Sequence, residues 1–418
     1  MHTTAHSSSS GAGGPASGDA VPTTILLLLV ATFPWDDALG YPTREVSVGK
    51  LLGVALVVAY LASRPHRRWV PVPKVFWVLL VFLGVLAVSL LRSGRVADGV
   101  VEFLRYCMFA AFAFLVVQLV TDRARLVRLA EVFVISSTAA AAVGTFRFLV
   151  STTGRASGPI GEANDFAYVL ATAVPLALYL AWRHRERQVL WLLATGILLV
   201  TIALTFSRGA CVALALAGLW AAMHNRTIAK RLVATVAGVA LLGGAVLALN
   251  SKWVEDRINA KTAVADENWA SRRALWRGAI EMFQQEPLLG VGTGLYPHRA
   301  AEFVHDEPWG INEPVAHNAY LEVLAEDGVV GLTLFVAFIG GSWVGLVRAR
   351  CAARTVDDAD GAGLALAVQA SAIVAVVGAV FLSVQIQPPI WFTAAMGVAL
   401  AASIGADAPA RRSPDQAR

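Results

Sequence analysis

One histidine, His317, occupies a position from which an imidazole could accept a proton. It falls in residues 314–318, Pro-Val-Ala-His-Asn, where the pattern predicts the start of a helix. The positive end of a helix disfavours imidazolium, so His317 is expected to stay neutral at physiological pH. A neutral imidazole can take a proton from a hydroxyl group. The alternative is a histidine that only caps the helix, because one histidine alone is not a site.

Two arginines stand beside apolar segments, where a cation is unusual. Arg155 lies in Gly-Arg-Ala-Ser-Gly at residues 154–158, shortly before Asn164, and Arg208 lies in Thr-Phe-Ser-Arg-Gly-Ala at residues 205–210. A cation held between helices near a membrane surface is unfavourable and usually has a partner. The alternative for each is a surface arginine that extends to water, or a plain turn between helices.

A third arginine, Arg272, is directed inward by helical spacing. Residues 268–285 read as a helix that stops at Glu-Pro. Arg272 lies four residues before Trp276 and therefore shares its apolar face, whereas Arg273 falls on the polar face and has the ordinary explanation of a solvated side chain. The glycine-rich run at 288–294 follows; as a phosphate-binding loop it is weak evidence, since a turn is the commoner use of such glycines.

The composition excludes an ordinary soluble protein. Hydrophobic residues make up 57% of the 418 residues and charged residues 15%, against about 25% charged in soluble proteins. The net charge of +5 does not indicate nucleic-acid binding, because the arginines sit in loops between apolar runs. The three cysteines have no CxxC or Cys/His partner, so neither a disulfide framework nor a zinc site is predicted.

Twelve apolar segments of membrane-spanning character follow one another along the chain. A helix needs about 20 predominantly apolar residues to cross a bilayer, and short basic loops separate these runs. The sequence therefore predicts an all-α polytopic membrane protein with about 12 transmembrane helices. The predicted segments cover residues 22–35, 46–62, 73–91, 100–120, 126–150, 166–182, 188–206, 209–223, 232–249, 328–347, 363–384 and 388–404.

Basic residues mark alternate loops of this twelve-helix count. Because positively charged loops stay on the cytoplasmic side, these loops and both termini are predicted to be cytoplasmic, and the remaining loops face outward. The basic clusters lie around residues 64–74, 123–128, 183–187, 226–231, 348–354 and 411–412.

Five regions follow from this pattern. Residues 1–21 are rich in serine and glycine and lack the basic residues of a signal peptide, which predicts a disordered cytoplasmic tail. Residues 22–249 hold helices one to nine, and residues 250–316 form a large outward helical loop. Residues 317–404 hold helices ten to twelve, and residues 405–418 form a second cytoplasmic tail.

Four segments in a fixed order resemble the O-antigen ligase/polymerase superfamily. The run His-Asn-Ala-Tyr-Leu-Glu-Val-Leu-Ala-Glu-Asp-Gly-Val-Val-Gly-Leu at 317–332 is similar to the signature that opens a late transmembrane helix in that superfamily. Residues 271–294, with Ser-Arg-Arg-Ala-Leu-Trp and Gly-Val-Gly-Thr-Gly, resemble another segment, as do residues 207–210 and 155–164. Where the family has one arginine before the tryptophan, this sequence has two, and the helical face selects Arg272.

The resemblance implies a membrane glycosyltransferase of the GT-C type that inverts the sugar and uses neither a metal nor a cofactor. The implied donor is an undecaprenyl-diphosphate-linked glycan, and the acceptor is a hydroxyl on a lipid, a glycan or a protein. The implied location is the bacterial inner membrane, amid membrane lipids, with the active site facing the periplasm. The implied process is the assembly of lipopolysaccharide or another surface polysaccharide.

The resemblance also assigns roles to residues. It implies that Arg208, Arg272 and Arg155 bind the substrate diphosphate and that His317 is the catalytic base. Guanidinium groups match phosphate oxygens bidentately. The supporting residues are Asn318, Asn164, Glu326 and Arg273.

Other functions remain open at this stage. A polymerase of the same superfamily would share these motifs. A lipid-linked oligosaccharide flippase or other transporter would have about a dozen helices too, but its charges should line a path across the membrane. Most of the predicted helices lack charges in the middle of their spans, apart from Glu102, Arg105, Glu131 and Arg147 near segment ends. A peptidoglycan-type polymerase and a structural membrane subunit are further alternatives.

Overall fold

A computed structural model describes residues 20–35, 47–63, 69–150, 155–225, 269–304 except 270, and 314–407. This part of the chain is almost entirely helical, and its helices pack into one bundle. The helices are α1 Ala20–Thr32, α2 Val48–Ser63, α3 Val75–Arg92, α4 Val96–Leu119, α5 Arg123–Val150, α6 Ala163–Arg183, α7 Gln188–Leu204, α8 Arg208–His224, α9 271–285, α10 Tyr296–Phe303, α11 Ala319–Thr355, α12 Ala359–Gly378 and α13 Pro388–Asp407.

Eleven of the twelve predicted apolar segments coincide with helices, namely α1 to α8 and α11 to α13. The ninth segment, 232–249, lies outside the described residues. Seven helices of the described part are long and apolar enough to cross a membrane, and four apolar helices are shorter. The all-helical, multi-pass architecture is therefore confirmed, whereas a total of twelve crossings stays a prediction.

The centre of the bundle is formed by α6, α12 and α13, whose middle residues are buried. The Trp391 ring on α13 is fully enclosed and lies against Phe109, Phe338 and Tyr106. Because lipid is as apolar as a side chain, close van der Waals packing of this kind holds membrane helices together.

Helix α11 begins later than the sequence predicts. The pattern indicated a helix start around 314–318, but the first helical residue is Ala319. The Asn318 side chain accepts hydrogen bonds from the backbone N–H groups of Tyr320 and Leu321, which makes Asn318 the N-cap. His317 has φ 50° and lies outside the helix. The helix also begins well before the predicted membrane span at 328. It consists of two helical parts that meet at a kink at Gly328.

Basic residues from several loops gather at one end of the bundle. Arg123 at the start of α5 forms an ion pair with Asp358, and Arg183 at the end of α6 forms one with Asp360. At the same end, Arg354 donates to the carbonyl oxygen of His224 at the end of α8. The starts of α6, α8 and α11 lie at the opposite end, which we call the outer end. This arrangement supports the predicted alternation of the loops.

We expect a cysteine introduced at Glu281 to react with an impermeant thiol reagent on intact cells. The exposed Glu281 lies on α9, within the loop predicted to face outward. A cysteine at Glu186, which lies in the connection between α6 and α7 with 68% of its side chain exposed, should react only after permeabilisation. The background protein should carry alanine at its three native cysteines. The reverse labelling pattern would invert the proposed orientation.

Candidate active site

Arg155 is tied to the turn between α7 and α8. Its Nε donates to the Thr205 carbonyl oxygen over 2.8 Å, and its Nη2 donates to Asn164 Oδ1 over 2.6 Å. The next residue, Ala156, donates its N–H to the Leu204 carbonyl oxygen over 3.0 Å. Within the described part of the chain, two of the five N–H donors of this guanidinium are used, and both acceptors are neutral. Neutral acceptors therefore hold Arg155 in place, and its charge is not paired with a carboxylate of the described residues.

Arg208 is the first residue of α8 and is exposed at the outer end. Ser207 takes the N-cap position, but its side chain makes no capping hydrogen bond. The first N–H groups of α8 therefore lack a side-chain cap, and such helix starts attract anions. Phe206, two residues before Arg208, has φ 52°, a conformation that is uncommon for non-glycine residues and often marks functional sites.

Arg272 reaches the same turn from α9. Its Nη1 donates to the Phe381 carbonyl oxygen over 3.2 Å. Phe381 also covers Gly209, where an added Cβ would lie 3.0 Å from the Phe381 Cβ. Phe381 therefore contacts both Arg272 and Gly209, the residue after Arg208. As the helical spacing predicts, Arg272 is half-buried and Arg273 is exposed.

His317 lies beside this group of arginines. Burial, and after it the positive charge of Arg272, lower the pKa of the His317 imidazole to about 4. Burial likewise lowers the pKa of Arg272; the nearby Arg155 lowers it further and Glu162 opposes the shift. These mutual effects place Arg155, Arg272 and His317 within one electrostatic environment. We call Arg155, Arg208, Arg272 and His317 the arginine–histidine site.

The four residues predicted to support the site have different positions. Asn164 binds Arg155 directly, and Asn318 caps α11 next to His317. Arg273 points to solvent. Glu326 is buried elsewhere, where its Oε1 accepts the Tyr296 N–H over 2.9 Å. The structure therefore brings two of the four to the site.

The glycine-rich run at 288–294 is packed against protein. Added Cβ atoms at Gly290, Gly292 and Gly294, all at positive φ, would meet the Glu326 backbone, Ser93 and Glu102 within 3 Å. The backbone N–H groups of Val291 and Gly292 donate to α11 carbonyl oxygens at Ala325 and Glu326. The run therefore forms a tight turn that packs against α11 near its kink at Gly328.

The sequence patterns do not predict that two further side chains, Glu322 and Trp276, make polar contacts beside His317. Glu322, 5% exposed, accepts the Ala316 N–H over 3.0 Å, a Gln385 amide N–H over 2.6 Å and the Ser383 hydroxyl. Trp276 donates its indole N–H to the Ala316 carbonyl oxygen over 2.9 Å. The sequence offers a signal for each residue. Glu322 is an acidic residue in the first turn of a helix, where a negative charge is favourable, and the indole N–H of Trp276 needs a hydrogen-bond acceptor when it is buried.

The arrangement is suited to binding an anion and moving a proton. Arg272 and Arg155 lie around a half-buried, neutral imidazole, and the exposed Arg208 stands at the neighbouring start of α8. Fixed cations of this kind stabilise negative charge that develops during a reaction. In the described part of the chain, histidine, cysteine and carboxylate side chains do not form groups of three that could hold a metal ion.

Comparison with known proteins agrees with the geometry. The search of the curated proteins gave no match. The family model described as O-antigen ligase matches residues 193–336, a range that contains Arg208, Arg272 and His317. Arg155 precedes that range. The resemblance noted in the sequence is thus confirmed over residues 193–336, where this protein matches the O-antigen ligase family.

Proposed function

We propose that this protein is a membrane glycosyltransferase that moves a glycan from an undecaprenyl-diphosphate carrier to an acceptor hydroxyl, as an O-antigen ligase does. The reaction would take place at the periplasmic face of the inner membrane, during lipopolysaccharide or surface polysaccharide assembly. The match over residues 193–336 supports a function of the ligase or polymerase type. The observation that carries the proposal is the set of cations in the arginine–histidine site that form no ion pair among the described residues.

Arg155 and Arg272 differ from the half-buried arginines Arg123 and Arg183 at the opposite end of the bundle. Arg123 and Arg183 form ion pairs with Asp358 and Asp360. Among the described residues, Arg155 and Arg272 instead bind only carbonyl and amide oxygens. Glu162 is close enough to favour both charges, but among the described residues it forms no ion pair with either arginine. A bound diphosphate would supply the direct negative partner that these half-buried cations favour.

The proposed reaction is one displacement at the anomeric carbon of the donor sugar. The acceptor oxygen forms a bond to that carbon on the face opposite the diphosphate, which inverts the configuration. The bond from the carbon to the diphosphate oxygen breaks, and its electron pair stays on the lipid diphosphate beside Arg155, Arg208 and Arg272. The acceptor proton passes to the neutral imidazole of His317.

Donor binding would also strengthen the base. With a pKa of about 4, His317 is neutral but weakly basic in the donor-free protein, and a general base works best with a pKa near the operating pH. Much of the depression comes from burial, and part comes from the charge of Arg272. An anionic diphosphate on Arg272 offsets that charge and raises the pKa of His317.

We therefore expect two different acid limbs in the pH dependence of transfer. Activity falls as pH drops through the pKa of His317, because only the neutral imidazole accepts a proton. The limb of kcat/KM, which reports the free protein, should lie near pH 4. The limb of kcat, which reports the donor complex, should lie at higher pH. Arg277→Gln, an exposed change on α9, should leave both limbs in place. A kcat limb at or below that of kcat/KM would contradict donor-assisted activation.

A deletion strain tests the proposed function and separates it from its nearest alternative. In a ligase, the acceptor lies outside the carrier pool, and loss of the protein should remove all attached polymer while lipid-linked chains accumulate. In a polymerase, the acceptor is another carrier-linked glycan, and single-repeat products should appear. An unchanged carbohydrate profile, with normal carrier-linked chains, would contradict both forms of the proposal.

A further inference from the structure

The His317 backbone adopts a conformation that its surroundings must enforce. Its φ of 50° lies in the left-handed region, which persists in non-glycine residues only where neighbouring contacts fix it. We propose that Glu322 and Trp276 are positioning residues that clamp Ala316, the residue before His317, and thereby orient the imidazole toward the acceptor. This inference rests on the proposed role of His317 as the base.

The clamp holds both polar groups of Ala316, which is fully buried. Its N–H donates to Glu322 Oε2 over 3.0 Å, and its carbonyl oxygen accepts the Trp276 indole N–H over 2.9 Å. Trp276 lies on α9 and Glu322 on α11, so side chains from two different helices form hydrogen bonds with Ala316. The Glu322 bond holds the Val315–Ala316 peptide and the Trp276 bond holds the Ala316–His317 peptide, so rotation of either peptide would break one of the two hydrogen bonds.

The chain is also fixed after His317. Asn318 caps α11 through its side chain, and the Ala319 N–H donates to the carbonyl oxygens of Ala379 and Leu382 over 2.9 and 2.8 Å. Among the described residues, the His317 ring itself makes no hydrogen bond. Because the backbone is held on both sides of His317, the direction of its Cα–Cβ bond is fixed, and this limits where the imidazole can lie.

The same clamp connects the base to the diphosphate cations. Trp276 lies one helical turn after Arg272 on α9. Glu322 binds Ser383 and Gln385, in the segment whose Phe381 carbonyl oxygen holds Arg272. Two independent routes therefore fix the position of His317 relative to Arg272. Loss of either route should displace the base while the arginines still bind donor.

We expect Glu322→Ala to lower kcat by about 10²-fold, because a displacement of about 1 Å can have that effect on catalysis. Trp276→Phe keeps an aromatic ring but removes the N–H with the five-membered part of the indole, and it should lower kcat about 10-fold, the effect of one lost hydrogen bond. The KM for the donor should stay within about twofold in both, because the phosphate contacts remain.

A conservative variant separates positioning from charge. In Glu322→Gln, the amide oxygen can still accept the Ala316 N–H. Gln385 can turn its amide to present Oε1, which has no hydrogen-bond partner among the described residues, to the new amide N–H. Glu322→Gln should therefore retain most of the turnover that Glu322→Ala loses. A role that depended on the carboxylate charge would not be rescued in this way.

The test measures kcat and donor KM for purified full-length protein in vesicles, with a lipid-diphosphate-linked glycan as donor. Exposed residues supply matched controls, Glu281→Ala for the acid and Trp77→Phe for the indole. A fall in kcat at constant donor KM, with recovery in Glu322→Gln, is the expected result. If Glu322→Ala fails to insert, Trp276→Phe decides.

Three results would overturn the inference: unchanged turnover in Trp276→Phe, a rise in donor KM without a fall in kcat, or Glu322→Gln as inactive as Glu322→Ala. His317→Ala, measured in parallel, separates the two levels of the proposal. If His317→Ala is inactive but the clamp variants are normal, only the clamp is wrong. If His317→Ala is active, the proposed base is wrong, and the clamp is wrong with it.

Discussion

Replacement of His317 by alanine is expected to lower the turnover of glycan transfer by about 10²–10⁴-fold, the usual contribution of a positioned general base. The donor should still bind, because the three arginines of the site remain. His317 lies outside α11 and its ring makes no hydrogen bond among the described residues, so the variant should fold and insert. The measurement is single-turnover transfer by purified protein, with donor binding determined separately.

His298→Ala is the matched control for this variant. His298 is exposed on α10, within the same predicted outward loop, and its loss should leave transfer unchanged. Near-normal transfer by His317→Ala would show that this histidine only shapes the approach to α11. The base would then be a carboxylate or water.

Arg272→Lys is expected to weaken transfer by roughly 10- to 100-fold, and Arg272→Ala by more. A hydrogen bond to a charged group contributes roughly 1.5–3 kcal/mol, and a lysine ammonium cannot reproduce the planar fork that matches two phosphate oxygens. Lysine also cannot reach the Phe381 carbonyl oxygen and the ligand with the same geometry. Donor KM and kcat should both suffer, because charge on the diphosphate grows as the glycosidic bond breaks.

Arg208→Ala should show a similar double defect, since the next residue, Gly209, packs against Phe381, whose carbonyl oxygen binds Arg272. Arg277→Lys is the control, because Arg277 is exposed on the polar face of α9. Arg273→Lys should have a much smaller effect than Arg272→Lys. Normal donor binding and turnover in both Arg208→Ala and Arg272→Ala would contradict the diphosphate site.

Much of the fold follows from local pattern in the sequence. Apolar length marked eleven helices correctly, because each membrane helix satisfies its own backbone hydrogen bonds and must be apolar over its span. Helical spacing also placed Arg272 and Arg273 on the correct faces of α9. Both inferences need only the neighbours of a residue along one helix.

The geometry around His317 could not be predicted in this way. The bond between Trp276 and Ala316 spans 40 residues, and the bond between Glu322 and Gln385 spans 63. No local period encodes such contacts. We attribute the left-handed backbone of His317 to these distant contacts, whereas the start of α11 at Ala319 follows from the local cap at Asn318.

The glycine-rich run shows the same limit. Its composition is compatible with a phosphate loop or a tight turn, and only its neighbours decide between them. Gly290 and Gly328 each lie against the backbone of the other segment, with added Cβ atoms less than 3 Å from main-chain atoms. The need for glycine arises from this close approach of two backbones, which lie far apart in the sequence.

The most direct test of the central claim is transfer by the purified protein in sealed vesicles that contain an undecaprenyl-diphosphate-linked glycan and a hydroxyl-bearing acceptor. The glycosylated acceptor and the released undecaprenyl diphosphate should be measured together. We predict that they appear in equal amounts, and that both are lost in His317→Ala while donor binding persists. Movement of intact donor between the two leaflets, with neither product formed, would contradict a transferase and indicate a transporter.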